Sequence, residues 1–170
     1  MGKLILVLGA NNSGKSDHAE KIIDSTGTLT QNDRFYIATM IPRTQENHSR
    51  IEKHIRRRKK YGFRTIEEPY YLKEVSVSEN SAVLLEDISN LLANNIFEKG
   101  LSENDVFEDV RDLVKRAGTV VVVSISGLER GEYDEGTNNY IDSLNSLNKR
   151  LSDIADNVIE MREGEPYDIT

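Results

Sequence analysis

Four short apolar runs, Leu4–Leu8, Phe35–Thr39, Ala82–Leu85 and Val120–Val123, recur along the chain with longer polar stretches between them. The runs are rich in branched side chains and do not alternate strictly, the pattern of strands buried on both faces of a parallel sheet. The intervening segments Ser16–Ser25, Pro42–Lys60, Ile88–Lys99 and Asp105–Arg116 carry helical spacing of their apolar residues. A longer helix is expected near Asn139–Ile154 and a last short strand at Val158–Met161, with Arg162–Thr170 as a loose polar tail. The expected fold class is therefore α/β: three layers, with a mostly parallel central sheet flanked by helices. No repeat and no linker rich in Pro, Gly or Ser divides the sequence, so residues 1–170 read as one domain.

Composition narrows the function. With 22 Lys and Arg against 29 Asp and Glu, the 170-residue chain has a net charge of −7, which argues against nucleic acid or an anionic membrane as its main partner. It has no cysteine, which excludes disulfides, thiolate metal sites, iron–sulfur clusters and a cysteine nucleophile. The first apolar run ends at Gly9, too early for a secretion signal, and no stretch is long enough to span a bilayer. A cytoplasmic protein acting on small molecules is expected.

Directly after the first run stands Gly9-Ala10-Asn11-Asn12-Ser13-Gly14-Lys15-Ser16, which fits G-x-x-x-x-G-K-[ST] between a strand and a helix. Its glycines let successive N–H groups curl inward, and the helix N-terminus behind them adds partial positive charge. Such a loop cradles a nucleoside triphosphate: Lys15 reaches the β/γ-phosphates and the Ser16 hydroxyl ligates Mg2+. The fold class is thereby sharpened to that of the P-loop NTPases. Chemistry of this kind needs an acidic group at the end of another strand, and Glu86, the first residue after Ala82–Leu85, is the candidate second protein ligand of the metal, with Asp87 beside it.

His54 lies in a basic segment with Arg50 four residues before it and Arg57 and Arg58 three and four after it. On a helix these residues share its face, so a neutral imidazole kept so by neighbouring cations could attack phosphorus while arginines hold the phosphates. A solvated basic helix is the alternative reading of the same run. His18 and His48 lack any such pattern and read as surface residues.

These segments, in order, resemble the adenosylcobinamide kinase/adenosylcobinamide-phosphate guanylyltransferase family of cobalamin biosynthesis. The resemblance is carried by Ile5-Leu6-Val7 with Gly9 to Ser16, Tyr36-Ile37-Ala38-Thr39, Arg50-Ile51 with His54 and Arg58, and Thr65-Ile66-Glu67. It continues through Val83-Leu84-Leu85-Glu86 with Asn94, and Asp142, Leu144, Asn148, Leu151, Ala155-Asp156 and Val158. It implies that Gly9 to Ser16 bind nucleotide, that His54 is guanylylated by GTP, and that Glu86 is the acidic partner; Arg50 and Arg58, on the face of His54, are the arginines expected from the basic run to contact nucleotide. It also implies a corrinoid (cobinamide) substrate, ATP or GTP as phosphoryl donor, and a homo-oligomer.

Three positions depart from the family pattern. Asn12 stands where arginine is common, Lys59 follows Arg58 in place of proline, and Ser124-Ile125-Ser126-Gly127 replaces a segment ending in Asn-Glu-Val-Gly. Two other readings stay open: a small-molecule P-loop kinase without guanylyl transfer, or, if the altered Ser124–Gly127 segment no longer admits a corrinoid, a nucleotide-binding regulatory protein with slow NTP hydrolysis.

Overall fold

The computed structural model of the chain describes residues 2–26, 33–60 and 62–170, without the side chains of Arg57 and Lys60. Arg57, one of the expected neighbours of His54, therefore has a side chain outside the described residues.

Among the described residues a 7-stranded sheet runs in the order β3-β2-β4-β5-β1-β6-β7. Its inner strands are the apolar runs: β1 (Lys3–Gly9), β2 (Arg34–Ala38), β4 (Ala82–Glu86) and β5 (Thr119–Ile125). All four are parallel, with β5 hydrogen-bonded to β4 on one side and β1 on the other. Because side chains alternate across a strand, Leu4, Leu6 and Leu8 enter one core with Val83, Leu85, Val120 and Val122, while Ile5 and Val7 enter the other with Leu84, Val121 and Val123. Burial on both faces explains why the runs are continuously apolar.

Helices α3 (Ile88–Lys99), α4 (Glu103–Arg116) and α5 (Glu135–Ile154) cover the first core, and α1 (Lys15–Ser25) covers the second with Ala19 and Ile23. Local chemistry fixes their ends. Asp87 and Asp134 accept hydrogen bonds from the Asn90 and Thr137 amides, capping α3 and α5, and Gly100 at φ 65° closes α3. In α4, Asp105 accepts from the amide of Ser102 just before the helix. These caps extend α4 and α5 beyond the expected starts at Asp105 and Asn139. The helix α2 (Gln45–Lys60) starts three residues later than expected from Pro42.

Two strands were not anticipated from apolar patterning. β3 (Arg64–Glu67) is an edge strand too short and polar to show a run. The tail is corrected too: β7 (Glu165–Asp168) turns back antiparallel onto β6 (Asn157–Arg162) instead of lying loose. Glu163 at φ 50° and Gly164 at φ 81° make the tight turn whose twist suits a two-residue hairpin. Among the described residues no helix is long and apolar enough to cross a membrane.

Truncating Leu84, fully buried in β4, should cost roughly 2–5 kcal/mol because a cavity opens between strand and helix layers. Urea unfolding of Leu84→Ala, followed by circular dichroism, measures this as a lower midpoint at unchanged m-value.

Candidate active site

Parallel pairing brings the carboxyl ends of β1, β5, β4 and β2 to one sheet edge, where an α/β protein binds its ligands. From the end of β1 the chain enters the loop 9–16. A Cβ on Gly9 would stand 2.4 Å from Ser13 Oγ, and Gly14 takes φ 89°, so both glycines are required by geometry. Asn12 also takes a left-handed conformation, φ 59°, which asparagine tolerates better than most residues. That gives the first departure from the family pattern a backbone rationale.

Lys15 folds back over the loop and donates to the carbonyl of Ala10 at 2.6 Å. Burial lowers the Lys15 pKa, opposed by the charges of Asp87 and then Glu86. Ser13 Oγ is buried with no hydrogen-bond partner, an unspent polar atom inside the loop. An anion cradled there would satisfy such a group.

Across the edge, Glu86 ends β4 and Asp87 begins the turn into α3, joined by a cis peptide. Glu86 Oε2 accepts from Tyr36 OH at 2.5 Å and from Arg58 Nη2 at 2.9 Å. Burial and the Glu86 charge push the Tyr36 phenol well above its ordinary range, so it stays a donor. Thr39 holds the neighbouring peptide from both sides: its Oγ1 donates to the Asp87 carbonyl at 2.8 Å and accepts from the Asp87 amide at 2.9 Å. Asn94 in turn donates to the Thr39 carbonyl. Burial raises the Asp87 carboxyl to about 6, with Glu86 raising it further and the Asn90 amide and Lys15 acting against the rise.

His54 comes to the same place. A recess of about 170 Å³ is walled by Tyr36, Met40, Ile51 and Ile55, and a wider cleft of about 490 Å³ lies over the loop from Asn11 to Ser16. Ser16, Arg50, His54, Glu86 and Asp87 line both. The two hollows are thus one continuous site in which the phosphate loop, the acidic strand end and the imidazole face each other.

One expected residue is placed differently. Arg58 is only 1% exposed and does not open onto this cleft. Its Nη2 pairs with Glu86, its Nε lies 3.3 Å from Glu20 Oε1, and its guanidinium stacks 3.7 Å from the centre of the Tyr36 ring. Two carboxylates already claim its charge, so it is not brought together with the other expected nucleotide contacts. Arg50, one turn before His54, is exposed and lines the cleft. Sequence reasoning missed Tyr36 and Glu20 as partners, because nothing in their spacing announces a contact across 22 or 38 positions of chain with Arg58.

Oxygen donors, the Ser16 hydroxyl and the Glu86 and Asp87 carboxylates, suit a hard cation such as Mg2+. Among the described residues no group of three or more His, Cys, Asp or Glu could hold a metal alone. The donor set fits an ion that arrives with phosphate oxygens and water completing its shell.

The altered segment that ends β5 and leaves it packs against the loop: Ser126 N–H donates to the Gly9 carbonyl, and the Ile125 amide donates to Ser89 Oγ. Asn148 binds the Ile125 carbonyl and accepts from Ser124 Oγ. Ser124 therefore anchors this corner to α5.

Over residues 5–169 the chain matches the family described as cobinamide kinase / cobinamide phosphate guanyltransferase. It is 38% identical over 101 residues to a protein of Escherichia coli (strain K12) named bifunctional adenosylcobalamin biosynthesis protein CobU, covering 57% of this chain and 52% of that protein. The match thus spans about half the length of this curated relative. Among solved structures, the flagellar accessory protein FlaH from Methanocaldococcus jannaschii is similar at 16% identity and TM-score 0.55, covering 97% of this chain and 75% of that one. The KaiC-like protein PH0186 from Pyrococcus horikoshii OT3 is similar at 12% identity and TM-score 0.50, covering 94% and 70%. At such identities the likeness concerns the fold, which is that of the P-loop NTPases, as the loop motif leads one to expect.

The raised Asp87 pKa has a thermodynamic consequence. A carboxyl that titrates near 6 when folded and near 3.8 when unfolded binds more protons in the folded state between those values, so stability falls as pH rises through that window. Asp87→Asn keeps a good helix cap and removes the charge. Its stability relative to wild type should rise between pH 4 and pH 7, by on the order of 2–3 kcal/mol. Parallel urea titrations of the nucleotide-free proteins at the two pH values check the sign.

Proposed function

Since the chain belongs to the cobinamide kinase / cobinamide phosphate guanyltransferase family, we propose that this cleft carries out both reactions of that description, phosphorylating cobinamide and then transferring GMP to the phosphate. The observation that supports it best is the meeting of the loop from Gly9 to Ser16, Glu86 and Asp87, and His54 around one continuous hollow. Both activities are group transfers at phosphorus, and the residues present divide naturally between them.

In the first reaction a substrate hydroxyl oxygen attacks the γ-phosphorus of a nucleoside triphosphate. The bond from that phosphorus to the bridging oxygen breaks, and the nucleoside diphosphate leaves. Lys15 and the loop amides balance the charge on the β/γ-phosphates. Ser16 and Glu86 would hold Mg2+, which supplies further charge neutralisation when bound. Asp87, with its titration near neutral pH, is suited to take the hydroxyl proton.

In the second reaction an imidazole nitrogen of His54 attacks the α-phosphorus of GTP and displaces pyrophosphate, leaving a phosphoramidate. An oxygen of cobinamide phosphate then attacks that phosphorus, the P–N bond breaks, and GDP-cobinamide forms. Arg50, exposed and lining the cleft beside His54, is suited to hold the triphosphate during the first of these displacements. Dividing one displacement into two easier ones is the advantage of a covalent route.

Protein incubated with α-labelled GTP and Mg2+ should retain acid-labile, base-stable label. His54→Asn should retain none, while His18→Asn and His48→Asn label normally. Label that persists in His54→Asn refutes His54 as the nucleophile, and its absence from wild type leaves kinase activity alone as the account of the site. Lys15→Ala should lower ATP-dependent phosphorylation of cobinamide by roughly 100-fold or more, since charge in a dehydrated site is what it removes. An unchanged rate in a protein of normal circular dichroism refutes the role of the loop.

A further inference from the structure

The helix that carries His54 is fastened in an unusual way. Most helices of the fold are held by buried apolar residues, such as Leu91 and Leu92 in α3 or Leu144, Leu147 and Leu151 in α5. In α2 the inward stripe is Ile51, His54, Ile55 and Arg58, and its two isoleucines are only half-buried. Among the described side chains of α2, the one that is buried is Arg58. A guanidinium thus occupies the position where a core leucine is expected.

Its surroundings come from three other elements. Glu86 Oε2 at 2.9 Å belongs to the end of β4, Glu20 Oε1 at 3.3 Å to α1 directly behind the phosphate loop, and the Tyr36 ring at 3.7 Å to β2. Tyr36 and Arg58 both donate to the same Glu86 oxygen, so ring, guanidinium and carboxylate form one unit. Both carboxylates are largely shielded from water and need a cation between them. A planar guanidinium can bridge two carboxylates and stack on a ring at once, which an ammonium cannot.

We propose that Arg58 is a positioning residue, a latch that sets the rotation and height of α2 and so holds His54 over the phosphate loop. It lies one helical turn from His54 on the same face, so any shift it permits is passed to the imidazole. It acts through His54 and Glu86 and touches no substrate. The inference about guanylyl transfer rests on the function proposed above, whereas the inference about α2 itself does not.

Arg58→Lys tests the latch, because lysine keeps the charge and can pair with Glu86 but loses the bridge to Glu20 and the stacked plane. Two rates are compared with wild type, label transfer from α-labelled GTP at saturation and ATP-dependent phosphorylation of cobinamide, together with amide hydrogen exchange of residues 45–60. Label transfer should fall roughly 10- to 100-fold further than phosphorylation, as expected when a reacting group is displaced by about an ångström. Exchange across α2 should accelerate while α3 keeps its protection. Glu20→Gln, which removes one partner and spares Arg58 and Glu86, should move both readouts the same way by a smaller factor, and it decides the matter if Arg58→Lys does not fold. Equal losses in the two rates, or unchanged α2 exchange, overturn the latch. If wild-type protein takes no label, the guanylyl reading fails by itself, and the exchange comparison still decides the latch.

Discussion

Hydrogen bonding of β5 between β4 and β1 dictates where the phosphate loop and the acidic pair can stand. In a parallel sheet all strands finish at one edge, so Gly9, Ile125, Glu86 and Ala38 end up side by side although 116 positions separate the first from the second. The polar residues that matter are those immediately after these ends, where the chain leaves the sheet and is free of its ladder. Phosphate loop, acidic pair and Thr39 all occupy that position.

Around this edge the polar contacts divide by charge. Thr39, Asn94 and Ser89 bind main chain and brace the turns, a task for short neutral side chains. Glu86, Arg58 and Glu20 carry charge, with the neutral Tyr36 phenol donating to Glu86, and breaking such a pair by removing one partner costs on the order of 3–5 kcal/mol. Apolar residues of similar volume would pack at least as well, so the charged cluster is better explained by orientation than by stability. It gives each carboxylate one direction to face.

The inner strands, the loop and most helices were legible because each is written in local sequence: an apolar run, a glycine spacing, a 3.6-residue stripe. Glu86 was legible as a strand end, and Thr39 appears only as part of a family pattern. What remained hidden depends on distance in the chain. Arg58 looks from its neighbours like one more solvated cation in a basic run, and only the approach of Tyr36, Glu20 and Glu86 from three other elements makes it a core residue. β3 was hidden because an edge strand has one neighbour and little apolar character, and β7 because Glu163-Gly164 marks a turn without the usual Asn-Gly or Asp-Gly pair.

The hairpin that closes the chain also determines what the sheet can do at its outer border. β7 is exposed along its whole length, and an exposed edge strand offers unpaired groups to any other extended chain. Here Pro166 has no N–H to give, while Glu165 and Asp168 bring like charges against a second copy of the same strand. Growth of the sheet from one molecule into the next is therefore discouraged on this side. Copies of this chain that associate through this end of the molecule must do so by side chains meeting across helix and loop surfaces, and the sheet remains the private scaffold of one polypeptide.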